Sequence, residues 1–169
     1  ARDATSRIPI VLAGAADPVA TGLVASLARP GGNITGVTSQ APDVARKGLE
    51  VLCEWRPETR RIGLLLNPTD PFAPKLQAML SGSAAALGLE TRPVFVTDQE
   101  TVGDAVATWG RQRIDAVFVQ PTVGFAPAAS AASKHRLPSF SFARHYADLG
   151  GLFAYGPDFG MIRRTEVIV

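Results

Sequence analysis

Three short loops carry most of the polar chemistry in this 169-residue chain, and each follows an apolar run. They read Asn67-Pro68-Thr69-Asp70-Pro71, Gln120-Pro121-Thr122 and Ser141-Phe142-Ala143-Arg144. A further polar pair, Asp17-Pro18, follows the apolar run at Ile8 to Leu12. Amide, hydroxyl and carboxylate groups in such loops can hold a small solute by hydrogen bonds and charge pairing. Asp17 suits an ammonium group, and Asn67, Thr69, Asp70 and Thr122 suit a polar end. Prolines, Pro18 and Pro121 among them, fix φ and stiffen these loops, so presenting the groups carries little ordering cost. Phe142, with Phe72 and Tyr155, could stack on an apolar part of a ligand. The same residues have a second reading, in which Asn-Pro and Asp-Pro start turns and Asp70 caps the helix after it.

Other reactive residue types do not point to catalysis. Two distant histidines, His135 and His145, and the single Cys53 lack metal-ligand spacing, so no metal and no cofactor is expected. His135 reads as a charged helix end, His145 as surface or hinge, and Cys53 as a buried, inert thiol. Gly14-Ala15-Ala16 is not a phosphate loop. No serine sits in a G-x-S-x-G context, and no catalytic residue is assigned.

The elements that must position these loops alternate. Ile8 to Leu12, Ile62 to Leu66, Leu89 to Val96, Ala116 to Val119, Pro138 to Phe142 and Leu152 to Tyr155 read as strands, Pro93 marking an edge position. A helix capped by Asp43 is expected to reach about Trp55, with Val44, Gly48, Val51, Leu52 and Trp55 on its inner face. Further helices are expected over Phe72 to Leu87, from Thr97 or Asp98 to Gln112, over Ala126 to His135, and from Met161 onward. Trp109 and Trp55 fall at inward positions. This alternation predicts an α/β fold, a parallel doubly wound sheet in three α/β/α layers, with the polar loops on one edge. The expected lobes are 39–150 for the larger, and 1–38 with 151–169 for a second, incomplete one that includes the strands at Ile8 and Leu152. Gly36 to Gln40 and Tyr146 to Gly151 are the expected crossings.

Composition narrows the classes. At 46% hydrophobic residues the chain can bury a core. Its net charge of +2 gives no case for nucleic acid. No apolar run approaches the roughly 20 residues that cross a bilayer. The polar opening A-R-D-A-T-S-R and the uncapped last helix read as cut ends of a longer protein.

Two segments resemble a known family closely: Asp17-Pro18-Val19, and Arg29-Pro30-Gly31-Gly32-Asn33-Ile34-Thr35-Gly36-Val37. A weaker match, Tyr155-Gly156-Pro157-Asp158, follows in the expected order. The chain is similar to the substrate-binding proteins of bacterial ABC transporters, in the group that includes tryptophan- and aromatic amino-acid-binding members. The resemblance implies a type I periplasmic-binding-protein fold with a flavodoxin-like lobe. It also implies a short helix after Asp17-Pro18-Val19, and a signal peptide and further βα units before Ala1. In that family the positions of Asp17 and Pro18 line the ligand cleft from one lobe. Those of Asn67, Thr69, Asp70, Pro121 and Thr122, and the residues after the strand at Pro138, line it from the other. Val123 stands where the family often has Asp, and Phe72-Ala73-Pro74 where it often has Ser, which makes this cleft less polar.

The implied function is the extracytoplasmic or periplasmic receptor of an importer, not an enzyme. Its partners are a small solute, an amino acid or a related aromatic or carboxylate compound, and a membrane permease. The alternative is the effector-binding core of a transcription regulator with the same architecture. A flavodoxin-like enzyme or signalling domain is disfavoured by the missing phosphate loop. An incomplete lobe is also expected to self-associate or to hold its strand weakly.

Overall fold

The computed structural model describes residues 4–15 and 17–158. They form two compact units, divided at Asp43/Val44 and Gly156/Pro157. The expected terminal helix from Met161 lies outside the described residues.

The larger unit holds a five-stranded parallel sheet. Its strands are β3 (Arg61–Leu66), β4 (Glu90–Phe95), β5 (Ala116–Val119), β6 (Ser139–Ser141) and β7 (Phe153–Ala154), in the order β4-β3-β5-β6-β7. The first two strands of the chain, β1 (Ile10–Ala15) and β2 (Ile34–Thr38), belong to the smaller unit. Helices α1 (Ala41–Trp55), α2 (Ala73–Ala86), α3 (Gln99–Arg111), α4 (Phe125–Lys134) and the one-turn α5 (His145–Asp148) intervene. The chain runs outward from β3 to β4, then back across to β5, so the sheet reverses its winding direction between β3 and β5. In open parallel sheets the carboxyl ends of the strands beside such a reversal form a crevice.

Alternate strand residues divide the core in two. Ile62, Leu64, Leu66, Ala116, Phe118 and Phe140 face α1 and α2 through Ala45, Leu49, Leu52, Leu76, Leu80 and Ala84. Leu65, Val117 and Val119 face α3, α4 and α5 through Val102, Val106, Trp109, Ala128, Ala129 and Tyr146. These are the three expected layers. β5 and β6 are buried throughout, as a sheet covered on both faces requires. Pro93 sits in β4 at the sheet edge, where a missing N–H costs no ladder bond.

Polar groups within this core are paired. The Tyr146 hydroxyl and Ser139 Oγ lie 2.7 Å apart, and Ser141 Oγ donates to the Val119 carbonyl at 2.7 Å. Burial pushes the Tyr146 hydroxyl up to about 12 and raises the Cys53 thiol as well. At the amino ends of the strands, one Asp115 oxygen accepts the backbone N–H groups of Arg60 and Arg61, both at 2.8 Å.

The smaller unit explains part of the Arg29–Val37 motif. The Asn33 amide donates to the Ile8 carbonyl at 2.7 Å, and Ile10 N–H to the Asn33 carbonyl at 2.8 Å, which fixes the register of β1 on β2. A Cβ on Gly36, at φ +141°, would stand 2.2 Å from the Leu12 carbonyl oxygen, so only glycine allows this backbone approach.

Several expectations change. The first strand begins at Ile10 rather than Ile8. No helix follows Asp17-Pro18-Val19: the segment is a series of turns, with Gly22 at φ +68° breaking the helical path. α1 starts at Ala41, so Asp43 lies in its first turn instead of capping it. Its buried face is Ala45, Gly48, Leu49 and Leu52, whereas Trp55 is 56% exposed. Trp55 shares the helical angle of Gly48 but falls in the last turn; periodicity sets an angle, not how far cover extends. The strand at Leu152, expected in the smaller lobe, pairs with β6, and Phe153 stacks on Phe140 at 5.0 Å. The expected crossing at Tyr146 to Gly151 lies within the larger unit and anchors Tyr146 in its core.

Two outcomes follow. A Cβ on Gly63 would meet the Trp109 ring at 2.7 Å, so Gly63→Ala is expected to cost about 1–3 kcal/mol in denaturant unfolding. The raised Tyr146 value stabilises the fold fully below pH 10, and this contribution is lost as pH climbs through about 12. The melting-temperature gap between the native chain and Tyr146→Phe should therefore narrow from pH 9 to pH 11.5.

Candidate functional site

The carboxyl ends of β3 and β5 gather the polar loops on either side of the reversal point. Asn67 follows β3 and Gln120 follows β5. Gln120, only 1% exposed, accepts the Asn67 N–H through Oε1 at 2.8 Å. Through Nε2 it donates to Asp70 Oδ2 at 2.7 Å. The Thr122 hydroxyl donates to the same Asp70 oxygen at 3.1 Å, and Phe72 N–H to Asp70 Oδ1 at 2.9 Å. Asn67 is also internally committed: Nδ2 donates to the Thr122 carbonyl at 3.0 Å, and Oδ1 accepts Thr69 N–H at 2.9 Å and the Thr69 hydroxyl at 2.8 Å. Asp70 thus closes the turn into α2; the capping position itself is Phe72, with no side-chain cap.

Beside this network lies a cavity of 230 Å³. Asn67, Thr122 and Val123 form one side, Val96, Thr97, Asp98 and Val102 another, and Gly124 and Pro127 at the start of α4 complete it. Asp98 caps α3, accepting Thr101 N–H at 2.8 Å and the Thr97 hydroxyl at 3.1 Å. The Thr101 amide, then the Thr101 and Thr97 hydroxyls, hold its carboxyl below the usual range. Among the described residues the lining contains no Lys, Arg or His, so the cavity combines an apolar wall with neutral acceptors and donors and one capped carboxylate.

Asn67, Thr69, Asp70 and Thr122 are therefore brought together, with Pro121 exposed beside them. Phe142 is placed differently: its ring packs on Phe118 at 4.7 Å, against the core facing α1 and α2. Phe72 joins the same core. Asp17 and Pro18 lie in the smaller unit, where with Thr38, Gln40 and Asp43 they line a pocket of 90 Å³. One Asp17 oxygen accepts Ala20 N–H at 2.9 Å.

Sequence reading did not single out Gln120 or the Val96–Asp98 wall. The signal for Gln120 was a polar residue ending an apolar strand. Asp98 was visible only as a helix start. Among the described residues no group of three or more His, Cys, Asp or Glu is placed to hold a metal ion.

The ABC transporter substrate binding protein profile matches residues 1–162. The chain belongs to this family. It is 29% identical over 165 residues to a tyrosine-binding protein of Clostridioides difficile, covering 94% of this chain and 46% of the relative. The chain thus spans about half the length of the curated relative it matches. Among solved structures, a conserved domain protein of Vibrio cholerae superposes with a TM-score of 0.74 at 27% identity, over 95% of this chain and 54% of its own. An ABC domain from Streptococcus pneumonia, solved in complex with L-Trp, superposes at 0.73 with 24% identity, over 99% and 60%. These likenesses agree with the periplasmic-binding-protein-like fold expected from the sequence. Val123 is buried and forms part of the cavity wall.

Thr122→Val removes one of three donors to Asp70 at an exposed position. The expected loss is about 1 kcal/mol, read by urea unfolding, with the far-UV spectrum unchanged.

Proposed function

We propose that this chain is the solute-binding part of an extracytoplasmic or periplasmic receptor for an ABC importer. It binds an amino acid or a related aromatic or carboxylate solute and works without catalysis. The observation that carries this reading is the cavity at the sheet reversal, with an apolar wall of Val96, Val102, Val123 and Pro127 and a polar side of Asn67, Thr97 and Thr122. Such a mixture suits an amphipathic solute. The tyrosine-binding relative and the neighbour solved with L-Trp support an aromatic amino acid. In this reading the loops at Asn67, Thr69, Asp70, Pro121, Thr122 and Phe142 serve one lobe, and Asp17 and Pro18 serve the other. A solute held from both lobes favours the closed form, which the membrane permease then recognises.

Self-association belongs to the same reading. The smaller unit has a two-stranded sheet and exposes Ile8, Val11, Val19 and Leu27, apolar surface of the kind that pairs with another copy. Light scattering should return a mass above that of one chain, falling towards the monomer on dilution.

The direct test is thermal unfolding with L-tyrosine, L-tryptophan and a panel of sugars. A ligand at a hundred times its Kd stabilises by about 2.7 kcal/mol, a rise of about 5–10 °C in Tm for a chain of this size. The expected outcome is a shift with an aromatic amino acid, none with sugars, and loss of the shift in Thr97→Trp, which adds bulk to one cavity wall. Silence from the folded chain with both of these, and with a panel extended to the other amino acids and to aromatic and carboxylic acids, would refute the proposal.

A further inference from the structure

Gln120 is buried between a fixed donor and a fixed acceptor. Asn67 N–H can only donate, and the Asp70 carboxylate, as it stands here, accepts from Phe72 N–H and the Thr122 hydroxyl as well. The orientation of the Gln120 amide is therefore decided by its partners: Oε1 towards Asn67, Nε2 towards Asp70. Glutamate would set an acceptor against an acceptor, and an aliphatic residue would leave the Asn67 amide and one Asp70 oxygen without this partner.

The polarity propagates. Asp70 accepts the hydrogen bond of the Thr122 hydroxyl, so Thr122, a residue of the cavity wall, has only lone pairs left to offer. Thr97, on another wall, likewise donates its hydroxyl hydrogen bond to Asp98. Both threonines of the cavity lining thus have their hydroxyl donors committed, which leaves each hydroxyl as an acceptor. We propose that Gln120 is the positioning residue of the site: it aligns the β3 and β5 loops and holds the Asp70 carboxylate where that acceptor leaves Thr122 to accept from an ammonium or hydroxyl donor of the solute. Asp70 is then an internal anchor rather than the group that meets the solute. The solute part of this inference rests on the binding function proposed above; the loop-alignment part stands on the network alone.

A swapped pair separates the two. Gln120→Glu and Asp70→Asn are made singly and together in the full chain, with Leu80→Ala in the distant core as a control. In the double variant the amide introduced at position 70 donates to the carboxylate introduced at position 120. Its second proton points at Thr122 Oγ1, which must turn its own proton outward. The expected result is a Tm lowered by several degrees in Q120E and regained in the double variant. L-Tyrosine and L-tryptophan binding, by calorimetry, should fall at least about tenfold in Q120E and stay low in the double variant despite its recovered stability. Leu80→Ala should lose Tm and keep its affinity.

A double variant that fails to regain Tm would overturn the alignment role, and one that binds like the native chain would overturn the polarity role. If the native chain binds neither amino acid, the binding function and the polarity role fall together. The Tm recovery then still decides whether Gln120 aligns the loops.

Discussion

Burial of the sheet on both faces governs the larger unit. Strands β5 and β6 have no exposed side, and β3 is buried from Ile62 to Leu66. Polar chemistry is thereby driven to the strand ends or must be paired inside, as Ser139 and Ser141 are. β5 shows the consequence at both ends. Asp115 before it accepts the backbone amides that open β3, and Gln120 after it accepts the amide that follows β3. Two side chains flanking one four-residue strand thus fix its neighbour at either edge, where the ladder bonds run out.

The candidate site inherits its order from that arrangement. At the amino edge the clamp is a carboxylate, which can only accept. At the carboxyl edge it is an amide, which can accept and donate at once. Gln120 therefore links Asn67 to Asp70 and, through Asp70, to Thr122. Each carboxylate at this edge is satisfied by the protein: Asp70 by a turn amide and two side chains, Asp98 by the cap of α3. The cavity between them keeps an apolar wall, to which Val123 contributes. A site with capped acids, hydroxyl acceptors and no cation among its described lining residues offers shape and hydrogen-bond direction more than charge.

Family membership gives this geometry its setting. The profile match runs from the smaller unit through the larger one, so both belong to one inherited architecture. The Arg29–Val37 segment, which carries the resemblance, has local reasons in Asn33 and Gly36, both of which hold β1 against β2.

Much of the larger unit was legible in the sequence because its signals are local. β5 falls on the expected residues, Pro93 marks the edge strand, and Leu76, Leu80 and Ala84 show the buried face of α2. Asp98, one of the two expected starts of α3, is its cap. The loops at Asn67 and Thr122 were legible as polar punctuation after apolar runs. What needed tertiary structure was every property that depends on which distant segment arrives beside a residue. Trp55 has the periodicity of a core residue but lies where the cover ends. Leu152 to Tyr155 carries a strand signal with no mark of its partner, and stacking of Phe153 on Phe140 assigns it to β6. Phe142 could face a solute or the core by composition, and Phe118 draws it to the core. Gln120 reads as the start of a turn until the sheet order brings Asn67 and Asp70, distant in sequence, within hydrogen-bond reach of its two ends. Residue type alone set what each group can donate or accept; strand order decided which groups meet, because only the folded sheet brings the ends of β3 and β5 together.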